Sequence, residues 1–77
     1  ENISVSPNPF NNSAQVKIEN AYGPFEIEII DMNGKVVKHL IKNENIFSIN
    51  RDIISSGIYC LTIKNQPNLN PLKLVVE

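Results

Sequence analysis

Phe25-Glu26-Ile27-Glu28-Ile29-Ile30-Asp31-Met32-Asn33-Gly34-Lys35-Val36-Val37 is the stretch that decides the fold class. Phe25, Ile27 and Ile29 fall on one side of an extended chain, and Glu26 and Glu28 on the other. That period of two is the mark of a half-buried strand. Asn33-Gly34 between two such segments is the strongest short hairpin signal a sequence carries. The return strand is expected over residues 35–42. Its facing is ambiguous, because Val36/Val37 and Leu40/Ile41 put apolar residues on both sides.

Working outward, the same alternation recurs. Ile3-Ser4-Val5 predicts a first strand, which must end or kink at Pro7-Asn8-Pro9-Phe10. The two prolines lack an N–H, and Asn8 before a proline is driven to extended geometry. A second strand is expected over residues 14–18, with Ala14, Val16 and Ile18 on one face. Short strands are expected over residues 46–49 and 72–76. The run Gly57-Ile58-Tyr59-Cys60-Leu61-Thr62-Ile63 is the best strand pattern in the chain, with Tyr59, Leu61 and Ile63 together on one face. Asn-, Pro- and Gly-containing segments punctuate these runs, and no helical period appears. The reading is all-β: an antiparallel β-sandwich of about seven short strands.

Composition agrees. Among 77 residues there are twelve Ile and six Val, but two Ala and five Leu; twelve more are Asn. β-Branched residues favour strands, and Asn favours the turns between them. An apolar fraction of 42% is too high for simple disorder. Seven Lys+Arg against eight Asp+Glu leave a net charge of -1. No basic field is present to hold nucleic acid or anionic lipid. One cysteine excludes an internal disulfide and a multi-thiolate zinc site. No apolar run approaches the ~18 residues of a membrane-spanning helix, and no secretory leader pattern opens the chain. A chain this short buries about 60% of its unfolded surface, so its Ile/Val core has to hold the fold without a staple.

Candidate chemical sites are few. Cys60 and His39 are the one nucleophile-type pair, but both lie in strand patterns without a third orienting group, so Cys60 is expected to be a buried, inert residue and His39 a surface one. Glu26 and Glu28 stand about 7 Å apart on one strand face; they are expected to be solvated rather than a carboxylate pair of the glycosidase kind. Asp31-Met32-Asn33-Gly34 is similar to the start of a calcium loop, but its glycine falls too early and no terminal Glu follows. Asn2-Ile3-Ser4 and Asn11-Asn12-Ser13 are chance glycosylation matches in an Asn-rich chain. No catalytic constellation, cofactor site or metal site is expected, and no small-molecule substrate.

Four segments in order carry a resemblance. They are Pro7-Asn8-Pro9-Phe10; Ile29-Ile30-Asp31-Met32-Asn33-Gly34-Lys35-Val36-Val37; Ile54-Ser55-Ser56-Gly57-Ile58-Tyr59; and Lys73-Leu74-Val75-Val76. Together they resemble the type A C-terminal sorting domain of the type IX secretion system of Bacteroidota. Three positions depart from the family pattern: Ile54 replaces a usual Leu, Cys60 a larger apolar residue, and Leu72 a frequent Lys. Each motif also has a fold role. The prolines stiffen a loop that inserts Phe10 into the core, Gly34 takes a positive φ, Gly57 eases the chain into its strand, and a buried Tyr59 hydroxyl needs a polar partner.

The resemblance implies an immunoglobulin-like sandwich spanning residues 1–77, a single domain excised from a larger secreted protein. It further implies a non-enzymatic signal that directs a covalently fused N-terminal cargo through the outer-membrane translocon. The family's sortase-like cysteine peptidase then removes the signal upstream. Transit through the periplasm is expected, ending at the outer-membrane surface or outside the cell. Lys73, Leu74, Val75 and Val76 are the implied recognition residues, engaged through an exposed strand edge. The alternative is an immunoglobulin-like accessory module, a spacer or glycan binder, for which Tyr22 is the one loosely placed aromatic.

Overall fold

The computed structural model describes residues 2–77. Its seven strands are β1 (Ile3–Ser6), β2 (Ser13–Ile18), β3 (Phe25–Ile30), β4 (Val36–Lys42), β5 (Ile46–Asn50), β6 (Gly57–Ile63) and β7 (Leu72–Val76). Sequence alternation passes directly into burial. Ala14, Val16 and Ile18 of β2, Phe25, Ile27 and Ile29 of β3, and Tyr59, Leu61 and Ile63 of β6 are all buried, with exposed or half-buried residues between them. Phe47 and Ile49 of β5 and Leu74 and Val76 of β7 complete the inner faces.

The strands form two sheets, ordered β1-β2-β5 and β4-β3-β6-β7, in which every neighbouring pair is antiparallel. The chain crosses between sheets after β2, β4 and β5. Apolar faces of both sheets meet in one core, which is the β-sandwich expected from the pattern. The Tyr59 hydroxyl, near the start of β6, donates to the Ser55 carbonyl at 2.6 Å. A tyrosine bonded back to the chain just upstream of its strand is the tyrosine corner of immunoglobulin-like sandwiches. The fold is therefore all-β and immunoglobulin-like.

Loops supply the ends of the core. Phe10, Ile54 and Leu69 lie outside the strands and are all buried. Gly23 is needed for close approach, since a Cβ there would stand 2.6 Å from the Asn43 carbonyl oxygen.

The β3–β4 hairpin differs from a two-residue Asn-Gly turn. Gly34 alone among the turn residues has a positive φ, of 87°, and its N–H donates to the Asp31 carbonyl at 3.0 Å. The Asp31 carboxylate accepts from the N–H groups of Asn33 and Lys35, both at 2.9 Å. This carboxylate organises a three-residue turn whose last member is the left-handed glycine. Lys35 flanks the turn opposite Asp31, whose N–H donates to its carbonyl at 2.9 Å, and β4 begins at Val36.

The ambiguous facing of β4 has a physical cause. Ile30 pairs with Val36 while Ile29 pairs with Lys38, so Val37 is an extra residue in a bulge. After the bulge Lys38, Leu40 and Lys42 pair with Ile29, Ile27 and Phe25, which places two lysines on the inner side of an edge strand. Lys38 pairs with Asp52, and the Lys42 ammonium lies 5.9 Å from the centre of the Phe47 ring. Inward charges of this kind deter pairing of an edge with foreign strands.

Phe10→Ala removes a ring that is 1% exposed. It is expected to cost about 3–5 kcal/mol in denaturant unfolding; a loss below about 1 kcal/mol would show that the loop is not built into the core.

Candidate functional site: the terminal strand and its clasp

β7 lies at an edge of the four-stranded sheet, paired on one side with β6. Its side chains alternate: Leu74 and Val76 are buried, Lys73 is exposed and Val75 is half-buried on the outer face. Of the four residues that the motif singles out, the folded domain thus offers Lys73 and Val75 to the outside. Leu74 and Val76 belong to the core.

The outward backbone edge of β7 is occupied. The Asn8 amide donates from Nδ2 to the Lys73 carbonyl at 2.8 Å, and its Oδ1 accepts from the Val75 N–H at 2.9 Å. The Phe10 N–H then donates to the Val75 carbonyl at 3.0 Å, and the Glu77 N–H to the Phe10 carbonyl at 2.9 Å. Phe10 and Val76 form a parallel bridge. Pro7-Asn8-Pro9-Phe10 therefore lies along the last strand and connects β1 of one sheet with β7 of the other. The expectation of an open edge is corrected here: the outward backbone groups from the Lys73 carbonyl to the Glu77 N–H are already paired.

Arg51, which sequence reading passes over as part of an irregular loop, closes the same corner. Its Nε donates to the Ile54 carbonyl at 2.9 Å, its Nη2 to the Ser56 hydroxyl at 2.8 Å, and its Nη1 to the Asn11 carbonyl at 3.3 Å and to the backbone oxygen of Glu77. The planar five-donor fork of arginine suits such a junction of carbonyls. No motif signalled it, because its partners come from three separate segments.

The other motifs meet at one place. Asp31, Lys35, Val37, Ile54, Ser55 and Tyr59 line an open cavity of about 470 Å3 beneath the β3–β4 turn. Asp31 is engaged with the turn's own N–H groups, and the Tyr59 hydroxyl with Ser55. Gly57 sits against the Tyr59 ring, which would lie 3.7 Å from an added Cβ. Pro7, Asn8, Pro9, Phe10, Asp31, Asn33, Gly34, Lys35, Gly57 and Tyr59 thus divide into two structural groups, one at the β7 clasp and one around the turn and the tyrosine corner.

No dyad forms between Cys60 and His39. β3 separates their strands, so about two strand spacings lie between them. Cys60 is half-buried on the outer face rather than buried, because Tyr59 and Leu61 on either side take the inward positions. His39 Nε2 stands 3.0 Å from the Glu26 carboxylate, and Glu28 lies 3.9 Å from Lys64. Those outward carboxylates are paired on an open strand face and form no cleft. Tyr22 is 88% exposed but stands without a second exposed aromatic among the described residues.

An immunoglobulin-like sandwich whose last strand is clasped by its own first loop is the class of domain that the fold defines. The profile of the secretion-system C-terminal sorting domain matches residues 4–77, and the chain belongs to that family. No curated protein and no solved structure gives a significant match. Membership makes the chain a sorting domain of type IX secretion, a signal rather than a catalyst. It implies fusion to a cargo, recognition by the type IX machinery, and export across the outer membrane to the cell surface or beyond.

Arg51→Lys keeps the charge and loses the fork. Both Arg51→Lys and Arg51→Ala are expected to lower stability by about 1–3 kcal/mol and to speed amide exchange at Ile54 and Glu77. An Arg51→Lys protein with unchanged exchange would show that the fork holds nothing together.

Proposed function

We propose that residues 1–77 act as one folded export signal at the C-terminal side of a secreted cargo. The signal follows its cargo into the periplasm, folds there, and is recognised at the outer-membrane translocon through the outer face of β7. Lys73 supplies a charge and Val75 an apolar contact to that recognition. A sortase-like cysteine peptidase then cuts upstream of the domain, and the cargo is released or joined to surface lipopolysaccharide. The observation that carries this reading is the family match over residues 4–77, which spans all seven strands apart from the first residue of β1. The fold supports it by keeping Lys73 outside while Leu74 and Val76 anchor the strand.

A fluorescent protein behind a Sec signal, fused to residues 1–77 in a Bacteroidota host, is expected to reach the cell surface or the medium. Retention in the periplasm, while an established sorting domain exports the same reporter, would refute the proposal. Deleting residues 72–77 is expected to block export, but it also removes two core side chains. Lys73→Glu changes an exposed side chain alone. It is expected to leave stability within about 0.5 kcal/mol and to reduce export severalfold. Full export of Lys73→Glu would place recognition elsewhere on the domain.

A further inference from the structure

We propose that Asn8 is the positioning residue of the sorting signal. Its carboxamide stands in for a neighbouring strand, so that the secretion machinery meets the side-chain face of β7 and not its backbone edge. This role rests on the sorting function proposed above.

The chemistry of the pairing is specific. A strand neighbour would offer β7 one donor and one acceptor, and a primary carboxamide offers the same two groups in one plane. Asn8 uses both, Nδ2 toward the Lys73 carbonyl and Oδ1 toward the Val75 N–H. Pro7 and Pro9 on either side have no N–H to donate, and the Asn8 side chain supplies donor and acceptor together. Phe10 continues the pairing through its own backbone to Val75 and Glu77. The Lys73 and Val75 backbones are consequently fixed, and those are the two residues of the strand that face outward. An unguarded edge at this position would pair with any available strand. With Asn8 in place, β-strand addition along residues 73–77 is closed to a partner.

The other residue types fit less well. Asp keeps the acceptor for Val75 but sets a carboxylate against the Lys73 carbonyl, Gln is one methylene too long, and Ala offers neither group. Asn45 provides a matched control. Its Nδ2 donates to the carbonyls of Ile18 and Ala21 at 2.8 and 2.9 Å, so it too holds backbone through two side-chain bonds, both of them donated, in a different part of the fold.

The test compares Asn8→Ala, Asn8→Asp and Asn45→Ala with the unaltered protein. Each is fused to a reporter for export, and each is followed as the 77-residue chain by amide exchange at Val75. Asn8→Ala is expected to speed Val75 exchange by roughly five- to tenfold, the equivalent of one ordinary hydrogen bond, and to cut export severalfold. Asn8→Asp is expected to retain more Val75 protection than Asn8→Ala and to lose export to an intermediate degree. Asn45→Ala is expected to lose comparable stability and to keep its export. Equal export of Asn8→Ala and the unaltered fusion overturns the proposal. An equal loss of export in Asn45→Ala overturns it too, since Asn8 would then matter only through stability. If the unaltered fusion is not exported, the sorting function itself fails, an outcome distinct from either.

Discussion

The rest of the molecule depends on the pairing of residues 7–10 with the outer edge of β7. Those residues leave β1 in the three-stranded sheet and run beside the last strand of the four-stranded one, joined to it by the Asn8 side chain and the Phe10 backbone. The Phe10 ring enters the core at the same point. First loop and last strand are thus one unit, although more than sixty residues of chain lie between them. A small sandwich without disulfide support gains from such long-range closure, because it ties the two sheets together where either could peel away.

The two edges of the four-stranded sheet are protected by different means. At β4 the protection is local: a bulge at Val37 and two inward lysines, one paired with Asp52 and one over Phe47. At β7 it is supplied from a distance by the clasp, which leaves the outer side chains free while the backbone is occupied. Only the second solution occupies the backbone edge and leaves both faces of the strand unaltered. Inward charges on β7 would have displaced Leu74 and Val76, and these anchor it.

Much of this was legible in the sequence, and the parts that were not have identifiable reasons. Strands β2, β3 and β6 alternate cleanly because one face is buried and the other is not, and their limits could be read to within a residue. β4 was unreadable in its facing because a bulge shifts the period by one residue. Cys60 was expected to be buried from its residue type, whereas the alternation of Tyr59, Leu61 and Ile63 already placed it on the opposite face. Ile54 and Leu69 fill the core from loops, where no periodicity exists to betray them. The motif around Asn8 signalled a stiff loop, but not the strand that the loop lies against. Arg51 left no trace at all, since its partners lie as far apart as Asn11 and Glu77. Pairings over such distances belong to tertiary structure, and a local pattern cannot encode them.

In the proposed function the secretion machinery reads a folded domain and not a linear tail. This is tested most directly by binding of the labelled 77-residue domain to outer membranes that carry the type IX machinery, with membranes lacking it as the blank. The domain is expected to bind only the former, and a peptide of residues 72–77 added in large excess is expected not to displace it, because the free peptide lacks the clasp that fixes Lys73 and Val75. Displacement by that peptide at concentrations close to those of the domain would contradict the account, as would equal binding to both membranes.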